Sequence, residues 1–260
     1  MSIPLLNNHF QNYFDVFLAD SPALREQVHR IRYDVYCREF HYEREEDCPG
    51  GLERDEYDQY SLHTLILHKD TLSGAGCMRL VVPAVTESDF LLPMERFCGH
   101  SLTDPVWHPG RLPRSRIAEV SRLAVHTRFR RRLGESESPI GIAAASFSPD
   151  ERRTFPLLSL ALFYGGAALM VLAGRSDAFV MVEPRLARRL QMVGLPFVQV
   201  GDIMEYHGPR AAYYVPVQGV LDNIQGELQY LYDFVYESLE RQMRGRTDRK
   251  SDALDGNQPR

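Results

Sequence analysis

Apolar residues recur at helical spacing at Leu24, Val28, Ile31 and Val35, with polar residues between them. Asp20 and Ser21 precede this run as cap candidates and Pro22 takes the first helical position, so the pattern predicts an amphipathic helix to about Phe40. An acidic, glycine-containing loop follows. "SLHTLILHKD" and "GAGCMRLVVPA" then read as two strands joined by a turn at Thr71 to Gly74, a hairpin. "FLLPMERFCG" reads as a short helix or turn, 101–114 as a proline-rich loop, and 115–126 as a strand. Residues 133–153 are polar with small side chains and are expected to form a mobile loop. Beyond them come an apolar helix (155–174), a strand "DAFVMVEP", a short helix "RLARRLQMVG", two strands "FVQVGDIMEYHG" and "RAAYYVPV", and an amphipathic helix over about 220–244. This order implies an α/β fold, a mixed sheet with helices on both faces, as one domain over 1–244. Residues 245–260 are expected to be a disordered tail.

The segment "FPLLSLALFYGGAALMVLAG" is almost uncharged and about long enough to span a bilayer. It stands alone, begins at a proline and contains the pair Gly165 and Gly166. Among α/β neighbours, a uniformly apolar helix is one buried on most sides, so no integral membrane span is expected.

Composition changes this picture little. Charged residues make up 25% and apolar residues 44%, as in soluble globular proteins, and the formal net charge of -5 points away from nucleic acid. Lys69 and Lys250 are the only lysines. Arginine's fork suits carboxylates and phosphates, though a GC-rich genome produces the same bias. The cysteines Cys37, Cys48, Cys77 and Cys98 are widely spaced without a C-x-x-C pair. That favours a reduced, cytoplasmic setting over zinc or another metal. The N-terminus lacks the pattern of a signal peptide.

Three charged clusters stand apart. "RIRYDVY" places Arg32 late on the first helix with Tyr36 one turn further on the same face. "ERDEYD" supplies Asp55 and Asp58. Arg79 in "GAGCMRL" and Glu119 and Arg122 in "RSRIAEVSRLAVHTRFRRR" lie on strands among bulky apolar residues, where an unpaired charge is costly. Asp55, Asp58 and Glu119 are the nearest acids. These charges either converge in one buried network or form surface ion pairs worth ~0–1 kcal/mol each.

In this order the motifs resemble the acyl-homoserine-lactone autoinducer synthases and the related N-acyl amino acid synthases, members of the GNAT acyltransferase superfamily. The pattern is a helix with Arg and an aromatic one turn on, an E-x-D-x-x-D loop, a G-x-x-R-L strand, a Leu-Pro…Phe segment and E-x-S-R on a strand. Here it is carried by Arg32 and Tyr36, then Glu53, Asp55 and Asp58. Gly76 with Arg79 and Leu80 follows, then Leu92, Pro93 and Phe97, then Glu119, Ser121 and Arg122. Tyr42 stands where that family has a tryptophan, and Tyr36 where it has phenylalanine. Both changes fall on the amino-substrate side. The ordering is closest to the acyltransferases of PEP-CTERM/exosortase systems.

The resemblance implies a GNAT-like sheet with a V-shaped split between central strands, into which the pantetheine of an acyl donor inserts. It implies an acyltransferase moving a fatty acyl group from a thioester to the amine of an amino acid, with no permanently bound cofactor. The donor is acyl carrier protein or coenzyme A. A homoserine-lactone synthase, or a non-catalytic module that binds acyl groups or carrier protein, are the alternatives. Glu119 acts either as the base for the amine or as an ion-pair partner of Arg122 or Arg79. If the strand bulges after Arg122, backbone N–H groups near Leu123 to Val125 polarise the carbonyl. Arg32, Tyr36, Tyr42, Asp55, Asp58, Arg79 and Phe97 shape the amino-substrate side. Arg128, Arg130, Arg131 and Arg132 are either a patch that holds an acidic carrier protein or coenzyme A phosphates, or a solvated loop. The helix at 155–174 and the strand from Ala178 to Val182 are expected to line the acyl pocket.

Overall fold

Strands β2 (Ser61–His68) and β3 (Gly74–Val81) form the expected hairpin, paired from Ser61↔Val81 to Leu67↔Gly74. Their side chains alternate between two covered faces. Ile66, Met78 and Leu80 pack into the larger core, whereas Leu65, Leu67 and Cys77 pack with Val28, Ile31 and Val35 of the first helix, α1 (Pro22–Arg32). The structure is a computed structural model and describes residues 10–83, 90–130, 149–192 and 194–255. Of the expected loop at 133–153, residues 133–148 lie outside them, and 149–153 are helical rather than loop.

Strand β4 (Ile117–Val125) adds antiparallel to β3, and β5 (Asp177–Val182) adds parallel to β4. Between β4 and β5 the chain forms α3 (Pro149–Leu172), the crossover that a parallel pair requires. Strand β8 (Pro209–Pro216) continues antiparallel from β5, with the short β6 (Val198–Gln199) and β7 (Met204–Glu205) on its other edge. The mixed sheet and its covering helices match the expected GNAT-like class.

The β4–β5 ladder holds only from Ile117↔Asp177 to Val120↔Val180. Beyond it β4 stays with β3, through Ser121↔Arg79 and Val125↔Gly76, while Met181 and Val182 stay with β8. The two strands part and leave a V-shaped gap. At its apex β4 bulges. Arg122 and Leu123 together oppose Met78, and Arg122 takes the left-handed conformation at φ 49°, unusual for a non-glycine residue.

Helix α3 is the apolar segment, and it lies against the sheet with Leu158, Leu162, Tyr164 and Leu169 buried. Among the described residues no helix is long and apolar enough to cross a membrane. A Cβ on Gly165 would meet Thr64 Oγ1 at 2.9 Å, and one on Gly166 would meet Val120 Cγ2 at 3.3 Å. The glycine pair thus lets the helix approach β2 and the start of the gap.

Several elements differ from the sequence reading. An unanticipated edge strand, β1 (Phe14–Leu18), pairs with β2, its alternation carried by only five residues. The first helix continues past Arg32 as a π-helical segment (Tyr33–Glu39). The expected strand at 197–208 is broken into β6 and β7. After the short helix α4 (Pro184–Met192), the final helix is two, α5 (Val217–Asn223) and α6 (Glu227–Asp255), separated at Gly226 with φ 62°. Helix α6 therefore continues well past 244, into the residues expected to be a disordered tail.

Replacing Gly165 by valine is expected to force α3 away from Thr64 and to lower stability by about 1–3 kcal/mol in urea unfolding. An unchanged midpoint would mean that this approach is not tightly packed.

Candidate active site

The turn "ERDEYD" folds as one turn of 3-10 helix (Glu56–Tyr60) capped by its own carboxylates. Asp55 accepts from the Tyr57 amide at 2.9 Å, and Asp58 accepts from the Asp55 amide at 2.9 Å. This reciprocal cap explains the D-x-x-D spacing and aims both acids inward. Asp58 Oδ1 receives Arg32 at 2.6 Å and Arg79 at 3.0 Å. Arg79 also donates to Asp55, and its Nε to Ser121 at 3.1 Å. Arg32 donates to Glu53. Arg122 reaches Glu53 at 3.2 Å, Glu43 at 3.1 Å and Asp55 at 3.4 Å.

Arg32 and Arg79 are buried, at 0% and 1% exposure, so these are not surface ion pairs. Three guanidiniums face four carboxylates, each carboxylate touching at least one arginine, and the cluster keeps a formal excess of one negative charge. Burial favours the neutral Glu53 carboxyl, but Arg32 and Arg122 outweigh it and hold it at about 2. Asp58 is held low in the same way, by Arg32 and Arg79 against burial. His63 and His29 lie beside Asp58, yet burial, with Arg32 next, lowers both, His63 to about 3, and they stay neutral.

The π-helical segment carries Tyr36, whose hydroxyl donates to the Leu123 carbonyl at the bulge (2.8 Å). The Tyr36 carbonyl accepts from the amides of Tyr42 and Glu43, folding the chain back over the site. Tyr42 stacks on Tyr36 and, at 4.8 Å between ring centres, on His207.

Glu119 sits on β4, 3% exposed, and forms no ion pair among the described residues. One carboxylate oxygen accepts from the Met94 amide at 2.8 Å, one of the free donors in the first turn of α2 (Pro93–Cys98). Desolvation raises its carboxyl to about 7, the Met94 bond and Arg79 pulling the other way. The acids that pair Arg79 and Arg122 are instead Asp55, Asp58, Glu53 and Glu43.

Three cavities meet here. A polar one of about 110 Å³ is bounded by Glu43, Asp55, Arg79, Glu119, Arg122 and Arg210, with Tyr36, Tyr42 and the half-exposed ring of Phe97 at its walls. By the same measure a water needs roughly 10–15 Å³, so it holds several heavy groups. It shares Ser121, Arg122, Met181 and Arg210 with a cavity of about 60 Å³ in the gap between β4 and β5. That cavity shares Val120, Phe163 and Val180 with an apolar one lined by Gly166, Ala167, Met170 and Ala178. Polar site, strand gap and apolar pocket are thus contiguous.

The structure therefore brings together Arg32, Tyr36, Tyr42, Asp55, Asp58, Arg79, Phe97, Glu119, Arg122 and Leu123. Val125 lies further on, fully buried against Gly76 and in the core. Arg130 is a correction. It is 5% exposed, paired with Glu39 and stacked on Phe40 at 5.1 Å, so it serves packing rather than an open basic patch. Arg128 is exposed, and Arg131 and Arg132 lie outside the described residues. Sequence reading missed Glu43, Tyr206, His207 and Arg210. Glu43 follows the aromatic Tyr42, but the others come from a β7–β8 hairpin that is remote in sequence and carries no motif. No group of residues suited to a metal ion occurs among the described residues.

Residues 31–136 match the family model for the acetyltransferase (GNAT) domain. No curated protein matches the chain. Among solved structures, TofI, solved with an inhibitor and MTA, is 16% identical with TM-score 0.56 over 84% of this chain and 99% of its own. The AHL synthase LasI is 15% identical with TM-score 0.55, covering 79% and 90%. The CoA-dependent acyl-homoserine lactone synthase BjaI, solved with SAM and isopentyl-CoA, is 21% identical with TM-score 0.55, covering 86% and 89%. Residues 31–136 therefore match a GNAT domain, and the fold of the chain is the one seen in those synthases; these matches do not reach the exosortase-associated branch.

Removing one partner from the buried network leaves an uncompensated charge. Arg32→Met is expected to cost about 3–5 kcal/mol in urea unfolding at pH 7. The Glu53 contribution is present above its ordinary value of 4.5 and is lost as pH falls towards 2, so wild-type stability should drop across that window. A variant as stable as wild type would contradict the network's role.

Proposed function

We propose that the protein transfers a fatty acyl group from an acyl thioester to the amine of an amino acid, giving an N-acyl amino acid. The observation that carries this reading is Glu119, a buried carboxyl poised near pH 7, on the wall where the polar cavity opens into the strand gap. The thioester arm lies in the gap as an added strand, against β4 backbone that has no β5 partner beyond Val120. The acyl chain enters the apolar pocket beside Gly166, and the amine occupies the polar cavity.

Glu119 takes a proton from the ammonium, directly or through a water, and the neutral nitrogen attacks the thioester carbonyl. Backbone N–H groups at the Arg122–Leu123 bulge face the negative charge that develops on the carbonyl oxygen. The nitrogen gives up a second proton as the tetrahedral intermediate collapses and the C–S bond breaks. The leaving thiolate takes up one of the two protons, the other passes from Glu119 to solvent, and no covalent enzyme intermediate forms. Buried Cys77, its thiol raised to about 12 by desolvation, has no part in this chemistry. The donor is acyl carrier protein or coenzyme A. Exposed Arg128, where the chain leaves β4, supports an encounter with either acidic donor.

Glu119→Gln is expected to lower kcat/KM by about 10²–10⁴-fold, and the wild-type profile should rise with pH through about 7. Folding holds this proton more tightly than the unfolded chain does, so wild-type stability falls as pH rises from 4.5 through 7. The glutamine variant should therefore be at least as stable as wild type at pH 8. Unchanged turnover would remove Glu119 from the role of base. Mass spectrometry of products from an expressing host should show N-acyl amino acids. Acyl-homoserine lactones there would replace the amino-acid reading, and no thiol release with any amino acid would favour a binding module.

A further inference from the structure

Of the three arginines that border the polar cavity, Arg79 and Arg122 are each committed to carboxylates. Arg210 is not. It stands second in β8, where the β7–β8 hairpin folds over the site through His207 (φ 54°) and Gly208 (φ 93°). Among the described residues it forms no ion pair, and its Nε is buried without a hydrogen-bond partner. Its guanidinium lies 5.5 Å from the ring centre of Tyr42, which is stacked on His207. It borders both the polar cavity and the gap between β4 and β5, as does Arg122.

A half-buried guanidinium with an unmet donor lacks a planar acceptor, and a carboxylate meets that need with two parallel bonds. The same cavity is also lined by Glu43, Asp55 and Glu119, carboxylates that suit an ammonium. We propose that Arg210 binds the α-carboxylate of the amino substrate and so sets the specificity for amino acids over simple amines. This rests on the acyl-transfer reading above and deepens it. With the carboxylate on Arg210 and the amine towards Glu119, the nitrogen is directed at the thioester in the gap. Arg210 holds the substrate and takes no proton. The Tyr42 ring, itself stacked on His207, faces the guanidinium and limits its freedom, which suits a site that must fix one end of a short zwitterion.

The test measures thiol release with decanoyl-CoA and, separately, decanoyl acyl carrier protein. Acceptors are L-tyrosine, L-phenylalanine and L-valine against the matching amines tyramine, phenethylamine and isobutylamine. Wild type should favour the amino acids, and Arg210→Met should reduce the ratio of kcat/KM for amino acid over amine by about 10–100-fold, through KM. Arg210→Lys should recover part of it. Equal loss on both acceptor classes, or an unchanged ratio, overturns the proposal.

Calorimetry with the same amino acids and no donor separates this claim from the reaction. Binding that weakens about tenfold or more in Arg210→Met, in a protein that transfers no acyl group, supports the anchor and contradicts only the acyl-transfer reading. Equal binding by wild type and variant contradicts only the anchor. A wild type that neither binds nor acylates any of these acceptors overturns both.

Discussion

A charge buried in a protein must be matched, and the site follows from how that matching is done. Arg32, Arg79 and Arg122 sit among β2, β3, β4 and α1, where desolvation would be prohibitive without acids, and Glu43, Glu53, Asp55 and Asp58 supply them. The cluster is worth little as a source of net stability, because desolvation offsets most of the Coulomb gain. Its value lies in orientation. It pins the loop that carries Asp55 to the sheet, ties the first helix to the bulge through Arg122 and Tyr36, and leaves two groups unmatched. Among the described residues, Glu119 is an acid without a paired cation and Arg210 a cation without a paired acid.

The second constraint is topological. A parallel β4–β5 pair that separates after Val120 and Val180 exposes unpaired backbone in the middle of a sheet, a feature avoided unless something occupies it. The bulge at Arg122 and Leu123 lies at this separation, and Gly166 keeps α3 close there while leaving room beside Val180. In the proposed reaction, gap, bulge and glycine pair together admit an extended thioester arm, and the charged cluster beside it selects the nucleophile that arm meets.

Much of this was legible in the residues. The hairpin at 61–81, the strand at 117–125 and the helix around Gly165 are signalled by period and turn chemistry. Asp55 and Asp58 were legible as the nearest acids to two arginines on buried strands and as part of the E-x-D-x-x-D motif, although the reciprocal cap that turns them inward was not. Glu119 was legible as a charge in a buried strand, but not its partner, since a main-chain amide leaves no mark in a sequence. Arg130 misled because an arginine run looks alike whether its members face water or a buried glutamate. The β7–β8 hairpin was hidden for a related reason: "FVQVGDIMEYHG" has the composition of one strand, and only the packing of Val200 and Gly201 against the 101–104 loop breaks it in two. Arg210, some ninety residues beyond the last motif, could be placed only by the fold.

The most direct measurement is a crystal structure with an N-decanoyl amino acid bound. The account places the decanoyl chain in the apolar pocket beyond Val120, the amide beside Glu119 and the carboxylate on Arg210. A chain bound outside the β4–β5 gap, or a carboxylate turned towards Asp55 and Glu43, would contradict it.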